Sequence, residues 1–352
     1  MLPGALVRRR TTIADIAQQA GVSVGTVSNV LNSKGRHSQS TRQRVLDVAA
    51  SLNYAPNALI RSLQTGRTNA VGVFSWRVQP LSLADTGAAL LSGIAAGLAE
   101  SRYDVLLYSV HPHEGEVPVS LFLDGRVDGL IAVPGGSFDD DLSAVSRAGV
   151  PTVALYQGTP TDGIAAVNID NVSGVLAAID HLAELGHTRI AAYTPVYNFD
   201  FEQRLKGYRM GLGRRGLSAD PALYAPAVLN SPAKVASSVD RLLGLPDPPT
   251  AVLAGNDGLA LAVLEELTRR GIEVPGDVSV VGFDDAPIAS LGPGLTTVRQ
   301  PAEEVGRTAG RFVTAMIDGA RPDDCRALLP VDLVVRGTTG PPHLRGRHCA
   351  RA

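Results

Sequence analysis

Small hydroxyl and amide side chains recur between positions 23 and 32 of this 352-residue sequence; they are Ser23, Thr26, Ser28 and Asn32. Such groups suit contacts with phosphate and sugar oxygens, which fix a protein's position on a duplex without reading its sequence. In the same segment, Asn29 carries an amide that can pair with the edge of an adenine. Val24 and Gly25 offer apolar contact and close approach. The segment therefore has the chemistry of a surface that faces DNA.

Helix signals around this segment indicate how these side chains are held. Thr12 and Asp15 fit the capping box that starts a helix, and Gly21 suits the left-handed residue that ends one. Ser23 then caps a second helix over 24–31, and Ser38 caps a third. Two short helices joined by a glycine-containing turn form a helix-turn-helix, whose second helix enters the major groove. A plain helical bundle fits the same apolar spacing.

The charges of the chain are unevenly distributed. Residues 1–70 contain nine Lys and Arg against two Asp and Glu, whereas the remainder contains 23 against 32. A basic head on an acidic body is typical of a nucleic-acid reader attached to a module with another task. The charge distribution alone is equally compatible with a basic surface that is solvated and binds no partner.

From residue 69 onward, short β-branched or apolar runs alternate with helical patterns. We predict strands over 70–74, 105–108, 129–133, 152–155, 165–167, 190–193, 251–254 and 278–281, and helices over 88–100, 174–185, 203–213, 232–243 and 258–270. This alternation indicates parallel sheets with helices on both faces. About 270 residues exceed one such core, so two lobes are expected, with a ligand cleft at the carboxyl ends of the strands.

Other sequence signals exclude several classes of protein. No apolar run is long enough to span a membrane, and no signal peptide is recognisable, so we expect a cytoplasmic, nucleoid-associated protein. Cys325 and Cys349 form neither a disulfide framework nor a metal-ligand spacing. The glycine pattern from Gly211 to Gly216 follows a helix instead of a strand, which argues against a dinucleotide enzyme. We therefore predict no enzyme activity, no cofactor and no metal.

Several motifs run through the basic head: Thr12-Ile-Ala-Asp-Ile-Ala, Gly21-Val-Ser-Val-Gly-Thr-Val-Ser-Asn-Val-Leu-Asn32, Leu52-Asn-Tyr-x-Pro-Asn57 and Arg61-Ser-Leu63. Together they resemble the LacI/GalR family of bacterial transcription regulators. The resemblance implies that the second helix reads the major groove. It also implies a hinge helix after Pro56 that pairs with its dimer mate in the minor groove, where Leu63 holds the wedge position. Ile60 stands where the family usually has alanine. The DNA contacts predicted in this way are Thr12, Ser23, Val24, Gly25, Thr26, Ser28, Asn29, Asn32, Arg36, Asn57, Ile60 and Leu63.

The body carries further motifs, among them Val127-Asp-Gly-Leu-Ile131, His181-Leu-x-x-Leu-Gly-His187, Arg204-x-x-Gly-Tyr208, Gly255-Asn-Asp257 and Gly282-Phe-Asp-Asp285. They resemble the same family, whose body has the type I periplasmic-binding-protein fold. The implied fold class is an all-α helix-turn-helix domain (1–55) joined by a hinge helix and linker (56–68) to an α/β two-lobed effector domain (69–340), with a disordered tail (341–352). The chain would cross between lobes near Ile169, Arg299 and Val331. The N-lobe would then comprise about 69–168 and 299–331, and the C-lobe about 169–298 and 332–340.

The same resemblance implies an effector site in the cleft between the lobes. Its matches place Arg204, Asn256 and Asp284 against ligand hydroxyls, and a polyol presents the donors and acceptors that such side chains complement. Each of these three residues could instead have a structural role, since Asp284 and Asn256 could cap local structure and Arg204 could lie on a helix surface. The predicted effector contacts are Arg204, Asn256, Asp284, Gln157, Trp76, Asp200 and Asn230.

These observations predict a homodimeric repressor of carbohydrate-metabolism genes that binds a near-palindromic double-stranded operator. A small-molecule effector, a sugar or sugar derivative, would control its affinity for DNA, and no membrane partner is expected. Two alternatives stay open at this point. One is a regulator with a non-sugar effector such as a nucleobase corepressor, and the other is a solute-binding protein without a DNA role, which the basic head and missing signal peptide disfavour.

Overall fold

The computed structural model describes residues 11–32, 34–55, 62–63, 65–75, 86–108, 119–133, 139–158, 163–228 and 231–342. The chain divides into two compact units, Met1–Thr68 and Asn69–Ala352. We call the first unit the head and the second the body. Among the described residues, no helix is long and apolar enough to cross a membrane.

Three helices form the described part of the head: α1 (Ile13–Ala20), α2 (Val24–Leu31) and α3 (Gln39–Ser51). The predicted caps are confirmed, since the Thr12 hydroxyl accepts from the Asp15 amide, Ser23 caps α2 and Ser38 caps α3. Gly21 ends α1 in the left-handed region, with φ of 65°. The apolar faces of the three helices meet in one small core built on Ile16, Ala17, Ala20, Val27, Val30, Val45 and Ala49.

The first sheet of the body has six parallel strands in the order β11-β5-β4-β3-β1-β2. These strands are β1 (Ala70–Ser75), β2 (Asp104–Tyr108), β3 (Gly129–Val133), β4 (Thr152–Leu155), β5 (Ile164–Ile169) and β11 (Arg326–Leu329). The helices in the same part of the chain are α4 (Gly87–Ala99), α5 (Asp139–Arg147) and α10 (Ala302–Ile317). We call this sheet and its helices the N-lobe.

The second sheet has the order β12-β10-β9-β8-β6-β7, in which only the β10–β12 pair is antiparallel. Its strands are β6 (Ile190–Thr194), β7 (Tyr224–Pro226), β8 (Ala251–Ala254), β9 (Ser279–Asp284), β10 (Thr296–Arg299) and β12 (Asp332–Val334). The helices are α6 (Asn171–Glu184), α7 (Phe199–Arg214), α8 (Pro232–Leu243) and α9 (Asp257–Arg269). We call this half the C-lobe.

The chain passes between the two sheets three times. It leaves the N-lobe sheet after β5, returns after β10 and leaves again between β11 and β12. Because parallel strands end at one edge of their sheet, loops that carry functional groups gather at the carboxyl ends. The turns after β4, β8 and β9 are the ones that carry the side chains described below.

The helices α4 and α10 pack with their backbones in direct contact. A Cβ added at Gly93 would lie 1.9 Å from the carbonyl oxygen of Glu303, and one added at Gly306 would lie 2.1 Å from the carbonyl oxygen of Leu90. Two further glycines, Gly97 and Gly310, continue this contact along the helices. Only residues without a side chain permit so close an approach.

All predicted strands and helices of the body are present, with ends shifted by a few residues. The prediction that the glycines of 211–216 end a helix is also confirmed, because α7 ends at Arg214 and Gly216, with φ of 66°, follows its last turn. Sequence patterns did not reveal α5, α10 or the short strands β7, β10, β11 and β12. The last two are only four and three residues long and lie at the edges of their sheets.

Candidate functional site

The exposed surface of α2 is formed by the side chains that the core of the head does not bury. Val27 and Val30 are buried, whereas Val24 and Asn29 are exposed. Gly25, at the first turn, has no more than the Ser23 hydroxyl near the position of a Cβ. The N-terminal end of α2 therefore offers a small, accessible face, as a helix that enters a groove requires.

Several of the predicted DNA contacts also stabilise the helix ends. The Ser23 hydroxyl accepts from the Thr26 amide at 3.1 Å and lies 2.9 Å from the Thr26 hydroxyl. The Thr12 amide donates to Asp15 at 2.8 Å. The Asn32 amide donates to the half-buried Ser28 hydroxyl at 3.4 Å.

The remaining predicted DNA contacts lie beyond the helical core of the head. Arg36 is exposed in the loop before α3. Leu63 is 86% exposed, which is unusual for a large apolar side chain. Asn57 and Ile60 lie outside the described residues.

In the body, Arg204 of α7 is buried and bound from several sides. Its Nε donates to the Asn171 side-chain oxygen at 2.8 Å, and its Nη1 donates to the Gly255 carbonyl at 2.6 Å and to Asp284 Oδ1 at 3.5 Å. The guanidinium carbon lies 3.7 Å from the centroid of the Phe283 ring. The surface-helix reading of Arg204 is thus wrong, because only 6% of the residue is accessible.

Asn171 of α6 and Asp200 of α7 also belong to the group of side chains around Arg204. The Asn171 amide donates to Asp200 Oδ1 at 2.8 Å, and Arg204 Nη2 lies 4.0 Å from Asp200 Oδ2. Burial raises the pKa of the Asp200 carboxyl, while Arg204 and Asn171 act to lower it. Asn171 was missed by sequence reasoning; a buried amide at the first position of an apolar helix was its only signal.

Asp284 ends β9 and connects the group to the N-lobe. Its Oδ1 accepts from the Gln300 amide at 3.0 Å, and that same nitrogen donates to the Thr86 hydroxyl at 3.1 Å, just before α4. Gln300 follows β10, where the chain returns to the N-lobe. Neither Gln300 nor Thr86 was predicted from the sequence. We call Tyr156, Asn171, Asp200, Arg204, Asp284 and Gln300 the polar cluster.

Backbone strain is concentrated in and beside this cluster. Tyr156, Asp284 and Asp285 have φ of 58°, 124° and 53°, values that residues with a side chain rarely adopt. Such conformations persist where the surroundings enforce them and are common at ligand sites. Burial raises the pKa of the Tyr156 hydroxyl, and the nearby charges of Asp200 and Asp284 add to the rise. Among the residues that the structure describes, the same hydroxyl is buried without a hydrogen-bond partner.

The other predicted effector residues have different positions. Asn256 caps α9 through its Oδ1, which accepts from the Leu259 amide at 2.9 Å. It therefore has the capping role considered above, and its contact with a ligand stays a prediction. Gln157 is half-buried next to Tyr156. Trp76 and Asn230 lie outside the described residues.

A second buried acid, Asp257, supports the loop that follows β9. It accepts from the Thr297 hydroxyl at 2.5 Å and from the Ala286 amide at 2.7 Å. Burial raises the pKa of Asp257 to about 6 despite these hydrogen bonds. Its partners are all internal, so Asp257 positions the loop beside Asp284 and is not placed among the ligand contacts.

Comparison with protein-family profiles matches residues 12–57 to the bacterial regulatory proteins of the lacI family, and residues 179–339 to a periplasmic binding protein-like domain. The transcriptional regulator DegA of Bacillus subtilis is 34% identical over 346 residues, covering 94% of this chain and 99% of DegA. CelR of Thermobifida fusca is also 34% identical, over 335 residues that cover 94% of this chain and 98% of CelR.

Among solved structures, the lac repressor dimer bound to operator and an anti-inducer superposes with a TM-score of 0.78 at 28% identity, covering 94% of this chain and all of that one. A CelR–cellobiose complex superposes with a TM-score of 0.69 at 31% identity, with the same coverage. The relatives are transcription regulators and not enzymes. With a helix-turn-helix head, a two-sheet α/β body and relatives matched along nearly their whole length, this chain belongs to the LacI family of DNA-binding transcription regulators.

Proposed function

We propose that the protein is a homodimeric, cytoplasmic repressor whose affinity for a near-palindromic operator is set by a sugar or sugar derivative bound at the polar cluster. The observation that carries the proposal is the cluster itself. It brings Arg204, Asp200 and Asp284 together at strand and helix ends, where they can exchange hydrogen bonds with a polyol. The relative that was solved in complex with cellobiose supports a sugar as the class of effector.

The DNA contacts would come from the exposed end of α2, with phosphate contacts from the hydroxyls and from Arg36. Val24 and Asn29 have exposed side chains there, and Gly25 leaves its backbone accessible. A helix of this size reads one half-site, so a palindromic operator requires two copies of the chain. The relative solved as a dimer on operator DNA supports this arrangement.

Coupling between effector and operator would act through Leu63. An apolar side chain inserted between base steps costs unstacking energy, which a bent complex recovers in added contacts. The effector would favour one arrangement of the body and the operator another. Each ligand would then change the binding affinity of the other by the same factor. Leu63, at 86% exposure, is available for that insertion.

Leu63→Ala tests this function. We expect it to weaken binding to a DNA fragment from upstream of the gene and to reduce the bend in that fragment, measured by gel shift with circularly permuted probes. The control is Leu291→Ala, which removes another exposed leucine, 65% accessible, from the body. Equal affinity and equal bending in the Leu63 variant and the wild type would refute the wedge.

A further inference from the structure

The turn that follows β9 brings Asp284 into the polar cluster, and its backbone is strained. Asp284 and Asp285 have φ of 124° and 53°, two successive values that residues with a side chain rarely adopt. Such conformations cost folding free energy and persist only where the surroundings enforce them. The contacts that enforce this turn therefore also determine where the Asp284 carboxylate lies.

The Asp285 side chain makes two of these contacts. Arg299 Nε donates to Asp285 Oδ2 at 2.6 Å, and Arg336 Nη2 donates to Asp285 Oδ1 at 2.6 Å. The Asp285 side chain is only 9% exposed, so these charge-assisted hydrogen bonds form largely away from water. We call Asp285, Arg299 and Arg336 the ion triad. Asp284 contacts the polar cluster, whereas its neighbour along the chain is bound by two arginines outside that cluster.

The two arginines of the ion triad lie beside crossings of the chain between its lobes. Arg299 is the last residue of β10, from which the chain returns to the N-lobe, and Arg336 follows β12, after the chain has come back to the C-lobe. Asp285 therefore connects the turn after β9 to both of these segments. The turn can move only together with them, or after both ion pairs have broken.

Arg336 is oriented by contacts of its own. Its Nη1 donates to the Leu295 carbonyl at 2.8 Å, and its backbone amide donates to the Thr296 hydroxyl at 2.9 Å. Its side chain packs on Gly294, where an added Cβ would lie 2.5 Å from Arg336 Cδ. These contacts orient the guanidinium without the help of Asp285, so that Arg336 can hold the carboxylate in place.

The backbone is anchored a second time one residue further along the chain. The Ala286 amide donates to the buried Asp257 at 2.7 Å. On the other side of Asp284, the pairing of β9 with β10 fixes the backbone that leads into the turn. The residues after Asp284 are thus held at two successive positions, by the Asp285 side chain and by the Ala286 amide.

We propose that Asp285 is a positioning residue of the effector site: its two arginine partners hold the strained turn after β9 and thereby keep Asp284 in the polar cluster. The proposal rests on the proposed function, since it takes the polar cluster as the effector site. It goes further because it assigns the geometry of that site to a side chain outside the polar cluster, and to the two crossing segments that this side chain connects.

Amide hydrogen exchange of the full-length protein without ligand tests the ion triad. Asp285→Asn keeps the size of the side chain and tolerates a left-handed backbone, but it removes the charge and turns one acceptor into a donor. We expect residues 284–290 to exchange at least about tenfold faster than in the wild type, because two charge-assisted hydrogen bonds no longer oppose local opening. Wild-type exchange over this segment in Asp285→Asn would overturn the proposal.

Glu266→Gln is the matched control. The Glu266 side chain of α9 is 10% exposed and, like that of Asp285, accepts hydrogen bonds from two arginines, Arg269 and Arg270. Both variants should lower the melting temperature, whereas only Asp285→Asn should accelerate exchange over 284–290. Equal acceleration in the two variants would reflect a loss of global stability alone and would contradict the local role of Asp285.

Arg299→Gln and Arg336→Gln show whether Asp285 acts through the arginines. We expect each change to accelerate exchange over 284–290. In the protein that carries both arginine changes, Asp285→Asn should produce no further acceleration, because the interactions that it would remove are already absent. A further acceleration of about tenfold in that protein would mean that Asp285 acts independently of its two partners, and it would refute the ion triad.

The consequence for ligand binding is measured by thermal shift with cellobiose, glucose and ribose. A sugar that raises the melting temperature of the wild type should bind Asp285→Asn at least about tenfold more weakly, because the site is no longer preorganised around Asp284. The same sugar should bind Glu266→Gln as tightly as the wild type. Faster exchange over 284–290 together with unchanged affinity would refute the positioning role.

A gel shift without ligand separates the ion triad from the proposed function. A wild type that binds no upstream DNA would refute the regulator, and a panel without a binding sugar would refute the sugar effector. In either case, the exchange of residues 284–290 in Asp285→Asn, in Glu266→Gln and in the arginine variants decides whether the ion triad holds the turn.

Discussion

Arg204 is the residue on which the polar cluster depends, because its guanidinium contacts groups from α6, the β8–α9 turn and β9. Its ring partner Phe283 lies in the core shared by these elements. The family motif made Arg204 predictable from the sequence. The residues that hold it were not, since Asn171 and Gln300 are far away in the chain and meet Arg204 or Asp284 only after the strands are in register.

We expect Arg204→Ala to lower the free energy of unfolding by about 3–5 kcal/mol, because it removes the guanidinium that the buried Asp200 and Asp284 carboxylates face. The variant should lose its effector response and, below its melting temperature, still bind DNA through the head. Urea unfolding and gel shifts with and without ligand measure the two effects. Arg321→Ala, which removes an exposed ion pair with Asp324, should change stability by less than about 1 kcal/mol. A stable, fully responsive Arg204→Ala protein would contradict the assignment.

His187 gives the body a predictable response to acid. Its Nδ1 lies 2.8 Å from the Thr250 hydroxyl, and its Nε2 lies 2.9 Å from the Gly340 carbonyl, to which it donates. Burial lowers the pKa of His187, so the folded state holds it neutral while the unfolded chain binds a proton near pH 6.5. The pKa of His181 is lowered for the same reason.

The sign of the effect follows from which state binds more protons. Below about pH 6.5 the unfolded state takes up the proton first, so stability is full above that pH and falls as the pH drops through the window below it. We expect the urea midpoint to decline from pH 7 to pH 5.5, and to decline less in His187→Gln, which keeps a polar group but does not titrate. Parallel profiles for the two proteins would show that His187 does not contribute.

At the scale of the elements, α10 shows why sequence patterns failed where they did. Val305, Ala309 and Val313 recur at helical spacing, but Gly306 and Gly310 lower the helix propensity of the segment. The contact with α4 compensates for that loss, and it is a tertiary interaction that no local pattern contains. Helix α8 was predicted in full, because its own sequence contains the signals of a helix. Ser231 and Pro232 stand at its start, and alanines and leucines lie within it.

Gly306→Ala tests the close contact of the two helices. The added methyl group would meet the Leu90 carbonyl, a backbone atom that cannot rotate away, so we expect a loss of at least about 1–3 kcal/mol from overpacking. Gly213→Ala is the matched control, since Gly213 lies in helix α7 with nothing within 4 Å of its Cβ position. That change should raise stability by about 0.5–1 kcal/mol. Thermal melts of both variants measure the difference, and similar values for the two would refute the packing argument.

At the scale of the whole molecule, the change in charge along the chain coincides with the boundary between the two compact units. That boundary lies between Thr68 and Asn69, where the basic head ends and the acidic body begins. The fold class could be predicted because each unit carries a dense local pattern. The partner atoms of the polar cluster could not, because the crossings of the body bring together residues from three separate stretches of sequence.

A fragment of residues 69–352 separates the two tasks. We expect it to keep the thermal shift produced by the effector and to lose specific DNA binding. In the full-length protein, affinity for DNA should fall by about 10³–10⁵ between 50 and 200 mM salt if six to ten phosphates are contacted. Salt-dependent binding by the fragment would locate the DNA surface on the body and contradict the proposed role of α2.

The three passages of the chain between its sheets also determine how such a protein can be recombined. The head is one uninterrupted stretch, so a crossover of genes near codon 68 exchanges the operator reader without cutting the body. No single crossover exchanges one lobe for another, because β11 returns to the N-lobe sheet long after β5 has left it. One crossover can therefore join a head to a different whole body, whereas the exchange of a single lobe requires more than one crossover.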